Sequence, residues 1–306
     1  MGGNTGNTGN TGNTGNTGNT GNAGNIGDPG GDWGFADRVN YPFVDDQNVD
    51  STVINPTNKG YPDRNWGAYW FAWRVLTEFV TTLWPGMITP GGANEVTMQD
   101  PFVAFNTPQE IVDLEILARL ERADALGEIL GQKDEFVSYF MGLLNASPHS
   151  HPNTHRVLQS ASQIALFAAM HFKDQYKRQR PAQLCAPLLP PTETPGHASY
   201  PSGHATQSRL MANCFGLVLD KLVVNGTMTL ATATIIKNNL QALALRIARN
   251  REIAGFHYHS DSTEGQKLAD DMFQQLQDDL TVPGAGKPRM QRLSDAVTKA
   301  IVEWTP

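Results

Sequence analysis

The stretch Pro201–Gly226, "PSGHATQSRLMANCFGLVLDKLVVNG", decides the fold. Its apolar residues do not alternate, and from about Gly203 to Val224 they keep the spacing of a helix. Asn225-Gly226 supplies the stop, because a left-handed residue after the last turn suits glycine or asparagine. A helix this apolar needs other helices around it, and the flanking sequence provides them. Upstream, a proline-rich loop over residues 181–201 follows a helix expected from about Asn153 to Arg178, with Val157, Leu158, Ile164, Ala165, Phe167 and Ala168 on its apolar side. Downstream, helices are expected from about Thr229 to Ala254, from Ser260-Asp261 to about Leu280, and over 290–304. No sustained period-two pattern appears anywhere, so the expectation is an all-α helical bundle.

Two further helices are read towards the N-terminus. Thr107-Pro108-Gln109-Glu110 reads as a capping box with proline at the first helical position, opening a helix that runs towards Asn145. Trp66–Trp84 is the most apolar long stretch, yet it contains Arg74 and Glu78. A membrane span excludes both, so this stretch is expected to be a core helix.

Glycine recurs every third residue from Gly3 to Gly27, mostly as Gly-Asn-Thr. The period is that of a collagen helix, but Pro29 is the one proline nearby, so residues 1–60 are expected to form a flexible low-complexity tail. A single helical domain is expected over 61–306. With no charged n-region and apolar h-region at the start, the expectation is a soluble, cytoplasmic chain, with export left open. The net charge of −7 over 306 residues argues against a nucleic-acid partner, since phosphate backbones need a cationic face. Cys185 and Cys214 are too few for a disulfide framework or a zinc site and are expected to be buried thiols.

The chemistry concentrates near the expected helix ends. Lys173 and Arg180 lie at the end of one helix, and Arg251 at the end of another. Lys177 and Arg178, between the first two, read as a solvated helix face. His257 and Asp261 are four apart, so on a helix they share a face, and the carboxylate can accept Nδ1–H and leave Nε2 basic. Pro201-Ser202-Gly203-His204 offers an anion the N–H groups of a helix N-terminus, a hydroxyl, a close backbone approach and an imidazole acid. Taken separately each has a plain structural explanation. Together they describe a site for a tetrahedral oxyanion, of which phosphate is the commonest.

Lys173 with six residues to Arg180-Pro181, then Pro201-Ser202-Gly203-His204, then Arg251 with five residues to His257 and three to Asp261, resembles a known three-part signature. It is that of the type 2 phosphatidic acid phosphatase (PAP2) superfamily, which also includes bacterial class A acid phosphatases and vanadium haloperoxidases. The signature spans 173–261, and Asn250 stands where the family usually has serine. The resemblance implies a bundle of the PAP2 type. It also implies that Lys173, Arg180, Ser202, Gly203 and Arg251 bind the phosphate or vanadate oxygens. His257 would attack phosphorus to form a phosphohistidine, oriented by Asp261, and His204 would serve as acid and then base. In a haloperoxidase His257 would instead be the vanadium ligand, with His204 assisting peroxide binding.

Within the superfamily the phosphatase branch is favoured, acting on a small phosphate ester with no cofactor. "HYHSD" resembles the class A acid phosphatase run, and Met170 occupies the position three before the lysine where haloperoxidases resemble one another in having tryptophan. The alternative is a vanadate-dependent haloperoxidase that oxidises bromide or iodide with hydrogen peroxide. "PGHASYPSGHAT" resembles that branch's loop, and His197, seven before His204, falls where haloperoxidases have a pocket-lining residue. A third alternative is a non-catalytic interaction module.

Overall fold

The computed structural model describes residues 60–281 and 288–305, so the expected tail lies outside the described residues but for Gly60. Every regular element among the described residues is helical: two short 3₁₀ turns, Asp63–Asn65 and Ala186–Leu188, and twelve α-helices. In chain order they are α1 (Ala68–Thr82), α2 (Trp84–Met87), α3 (Pro101–Ala104), α4 (Thr107–Leu120), α5 (Arg122–Gly131), α6 (Val137–Leu143), α7 (Pro152–Tyr176), α8 (Pro181–Leu184), α9 (Gly203–Val224), α10 (Leu230–Ile253), α11 (His259–Thr281) and α12 (Gln291–Glu303). None of them is long and apolar enough to cross a membrane.

α9 is the central helix, packed by α7, α10 and α11, while α1 and α12 close over the far side of α7. Its sequence explains that place. Leu210, Met211, Cys214, Phe215, Val218 and Leu222 are buried on one broad face, while Arg209, Asn213 and Asp220 line a narrow, partly exposed stripe on the other side. Each large side chain fully buried in this way contributes about 1.5–3 kcal/mol. Ser202 caps its start, accepting from the Ala205 N–H at 3.4 Å, and Gly226 at φ +79° follows its end. The first turn of α7 is tied to α12, because the Glu303 carboxylate accepts from the N–H groups of Asn153 (2.6 Å) and Thr154 (2.8 Å). Of the two cysteines, Cys214 is buried as expected and Cys185 is only partly so.

The helix expected from Thr107 to Asn145 is instead three helices, α4, α5 and α6. The chain bends at Glu121 because the neighbouring Arg122 is drawn inward, donating to the carbonyls of Ile253 (2.9 Å) and Leu188 (2.7 Å). It bends again over 132–136, where backbone carbonyls turn towards α9. The expected capping box is also absent. Asn106 caps α4, accepting from the Gln109 N–H, while Glu110 points away into the centre of the molecule.

Candidate active site

Four helix ends meet at one end of the bundle: the C-termini of α7 and α10 and the N-termini of α9 and α11. Lys173 sits in the last turn of α7, and Arg251 in the last turn of α10. The C-cap of α7, Lys177, has φ 52° and turns the chain sharply. The extended residues that follow carry Arg178 and Arg180 inward, where each is at most 3% exposed. Gly255 at φ +79° makes the corresponding turn after α10 and delivers His257. Gly265 lets α11 approach α9, since a Cβ there would stand 2.7 Å from the Ser202 carbonyl. That approach places the Ser202 N–H on the Asp261 carbonyl at 2.9 Å.

His257 Nδ1 lies 3.0 Å from Asp261 Oδ2, the contact that their spacing predicted. The geometry is not that of a helix face, however. His257 precedes α11, and Asp261, in its first turn, reaches back to His257 and to the Tyr258 N–H at 3.1 Å. His257 Nε2 lies 3.4 Å from Arg180 Nη1. A guanidinium only donates, so Nε2 accepts, Nδ1 carries the proton and Asp261 receives it. Burial holds the His257 imidazole well below its ordinary pKa, and the charges of Arg180 and Lys173 add to that. It is therefore neutral, with its basic nitrogen among cations.

Those cations are held on backbone oxygens. Lys173 Nζ donates to the carbonyls of Ala198 (2.8 Å) and Ser199 (2.7 Å). Arg180 donates to those of His197 (2.9 Å) and Phe256 (2.9 Å), and Arg251 to that of Ile129 (2.7 Å). Arg251 Nε is buried without a partner among the described residues, a donor left over for something else. Burial lowers both guanidinium groups to about 10, so each stays charged at neutral pH, and it takes the Lys173 ammonium well below its ordinary value.

His204 stands at the start of α9, its Nε2 3.1 Å and 3.2 Å from the carbonyls of Gln132 and Lys133, its ring 4.9 Å from that of Phe136. Burial, then the charge of Arg251, depresses it to about 3. His197 Nδ1 lies 3.1 Å from Arg180 Nη2, so the ring belongs to the site as well as to its loop. His197 is exposed as a residue, yet partial desolvation of its ring, with Lys173 and Arg180 beside it, lowers it to about 4. Asn250 donates to Glu128 (2.9 Å) and Gln132 (2.8 Å) and so anchors the segment that contacts His204.

Of the residues singled out from the sequence, His257 contacts Asp261 and Arg180, Arg180 contacts His197, Lys173 holds the same loop through Ala198 and Ser199, and the charges of Arg251 and Arg180 reach His204. The structure corrects the reading of Arg178 and adds Ser199. Arg178, expected on a solvated face, is 3% exposed and pairs with Asp261 Oδ1 at 2.9 Å and Glu110 Oε2 at 2.8 Å, whereas its neighbour Lys177 is exposed. Ser199 was not singled out, yet its hydroxyl donates to Asp261 Oδ2. Neither carries a sequence signal, because their partners are set by tertiary packing alone. Burial pushes the Asp261 carboxyl up, and Arg178, the Ser199 hydroxyl, Lys173 and the Tyr258 N–H oppose that push. Among the described residues, no group of three or more His, Cys, Asp or Glu side chains is placed to hold a metal ion.

No protein-family model matches the chain, and no curated protein matches it.

Proposed function

We propose that the chain is a PAP2-type phosphomonoester hydrolase working through a phosphohistidine on His257. The observation that carries this reading is the His257 imidazole itself. It is neutral, tied through Nδ1 to Asp261, and faces Arg180 with Nε2 at 3.4 Å. That is a prepared nucleophile directed at the place where an anion would sit.

A phosphate ester bound there replaces the backbone carbonyls as partner of Lys173, Arg180 and Arg251, with the Ser202 hydroxyl and the Gly203 N–H completing its oxygen contacts. His257 Nε2 attacks phosphorus, the P–N bond forms and the P–O bond to the alcohol breaks. His204 gives the departing oxygen its proton. Without an anion, burial first and the charge of Arg251 second keep it neutral, and the double negative charge of the ester opposes both. Water then attacks phosphorus, His204 takes the water's proton, the P–N bond to His257 breaks, and phosphate leaves.

His197 favours a second reading, a vanadate-dependent haloperoxidase oxidising bromide or iodide with peroxide. The site's donor set fits vanadate, because the unpartnered Nε of Arg251 and the cations around it suit any tetrahedral oxyanion. His257 Nε2 would be the vanadium ligand, and Lys173, Arg180, Ser202, Gly203 and Arg251 would hold the oxygens. Bound vanadate would supply peroxide activation.

One preparation tested two ways decides between them. Hydrolysis of p-nitrophenyl phosphate that vanadate inhibits, with no bromide or iodide oxidation after vanadate loading, is the expected result. Halide oxidation would move the assignment to the second reading, and neither activity would leave an interaction module. His257→Ala should lower turnover by at least about 10⁴-fold with helical circular dichroism unchanged. Wild-type turnover in that variant would sink the covalent mechanism.

A further inference from the structure

Arg178 falls at an unspecified position between Lys173 and Arg180, yet its guanidinium is fully engaged at this end of the bundle. Nη1 donates to Asp261 Oδ1 (2.9 Å) and to the Ser260 hydroxyl (2.7 Å). Nη2 donates to Glu110 Oε2 (2.8 Å) and the Thr107 hydroxyl (3.0 Å). The guanidinium carbon lies 3.8 Å from the centre of the Tyr258 ring. Glu110 closes a loop, since its other oxygen accepts from the Ser260 N–H at 2.8 Å, one residue before Asp261.

The two oxygens of Asp261 have different tasks. Oδ2 takes His257 Nδ1, the Tyr258 N–H and the Ser199 hydroxyl. Oδ1 takes Arg178. A carboxylate held through one oxygen can still turn about its Cβ–Cγ bond and carry that oxygen off the imidazole. A guanidinium on the second oxygen stops the turn, and its planar fork does so in a fixed direction. We propose that Arg178 is the positioning residue for His257. Its guanidinium holds Asp261 Oδ1 so that Oδ2 stays on Nδ1, and Glu110 anchors that guanidinium from α4. The kinetic consequence rests on the functional reading above; the consequence for the imidazole does not.

The test compares the full chain with Arg178→Gln and Arg178→Lys by two measurements at one pH. Nitrogen-15 NMR of the histidines reads the His257 tautomer, and p-nitrophenyl phosphate hydrolysis reads kcat and KM separately. Wild type should show His257 with its proton on Nδ1. Arg178→Gln should show both tautomers, with kcat lower by about 10- to 100-fold and KM changed by less than about threefold. Arg178→Lys, which restores the charge without the fork, should fall between them. A folded Arg178→Gln protein with the wild-type tautomer and kcat within about twofold of wild type would overturn the proposal. Should that variant not fold, Arg178→Lys decides by the same measurements, and wild-type values for both would overturn it equally. If the wild-type chain hydrolyses no ester, the functional reading fails while the tautomer still decides the role of Arg178.

Discussion

The open cleft between α1, α7 and α12 and the buried centre at the ends of α7, α9, α10 and α11 both gather cations, but they spend the charge differently. The cleft has a volume of about 280 Å³ and is lined by Arg74, Arg156, Arg292 and Lys299 together with Asp63 and Glu78 among others. Arg74 pairs with Asp63 at 2.7 Å, and Arg292 with Glu78 at 2.5 Å. In the centre, no ion pair forms to Lys173, Arg180 or Arg251 among the described residues, and the nearby carboxylate, Asp261, is taken by Arg178 and His257. A backbone carbonyl carries only a partial charge, so an oxyanion can displace it, whereas displacing a carboxylate exchanges one anion for another. Room alone therefore does not make an anion site. Unspent charge does, and the buried centre has it.

The sharpest way to break this contrast is to remove one cation from each region. Arg251→Met should lower kcat/KM for p-nitrophenyl phosphate by about 10²–10³-fold and weaken inhibition by phosphate, because a fixed donor to the developing charge is lost. Arg292→Met in the cleft should leave kcat/KM within about twofold and cost no more than about 1 kcal/mol in urea unfolding, its pair being partly solvated. Equal losses from the two variants would mean that the regions are not functionally distinct.

A smaller effect follows from the price of keeping imidazoles among those cations. The folded-state pKa of His204 is depressed to about 3, while the unfolded chain takes the proton near its ordinary value of 6.5. As pH falls below that ordinary value, the unfolded state gains a proton that the folded state refuses, so stability is lost on acidification and none is lost above it. For His204 the loss between pH 6.5 and 5 is about 2 kcal/mol. Urea titrations across that window should show His204→Gln losing less stability than wild type. Parallel losses would place the acid sensitivity elsewhere.

Much of this was legible in the sequence, for physical reasons that also explain where legibility stops. The ends of α9 and α10 follow from local chemistry, a proline-serine-glycine start at Pro201 and glycine stops at Gly226 and Gly255. The contact between His257 and Asp261 follows from close spacing, although a first-turn carboxylate reaching back makes it rather than a helix face. The bends at Glu121 and over 132–136 do not follow, because the groups that pull the chain inward there belong to α9, α10 and the proline-rich loop. Arg178 was illegible for the same reason. Its partners, Glu110 and Asp261, lie 68 and 83 residues away in sequence. Nothing in its neighbours distinguishes it from Lys177.

That adjacent pair gives the smallest expected effect and the finest form of the same contrast. Lys177 and Arg178 are consecutive cations, one solvated and one buried, and the backbone at Lys177 separates them. Lys177 holds φ 52°, ψ 34° as the C-cap of α7, a left-handed conformation that costs a side chain with a Cβ roughly 1–2 kcal/mol. Its ammonium offsets little of that, being 75% exposed and 3.8 Å from an equally exposed Asp174. Glycine relieves the strain but frees the unfolded chain, so Lys177→Gly should raise stability by up to about 1 kcal/mol. It should leave kcat unchanged, since the charge it removes stays in water. If the substitution instead lowers kcat, then the Lys177 side chain, and not only the turn it makes, helps to hold Arg178 in place.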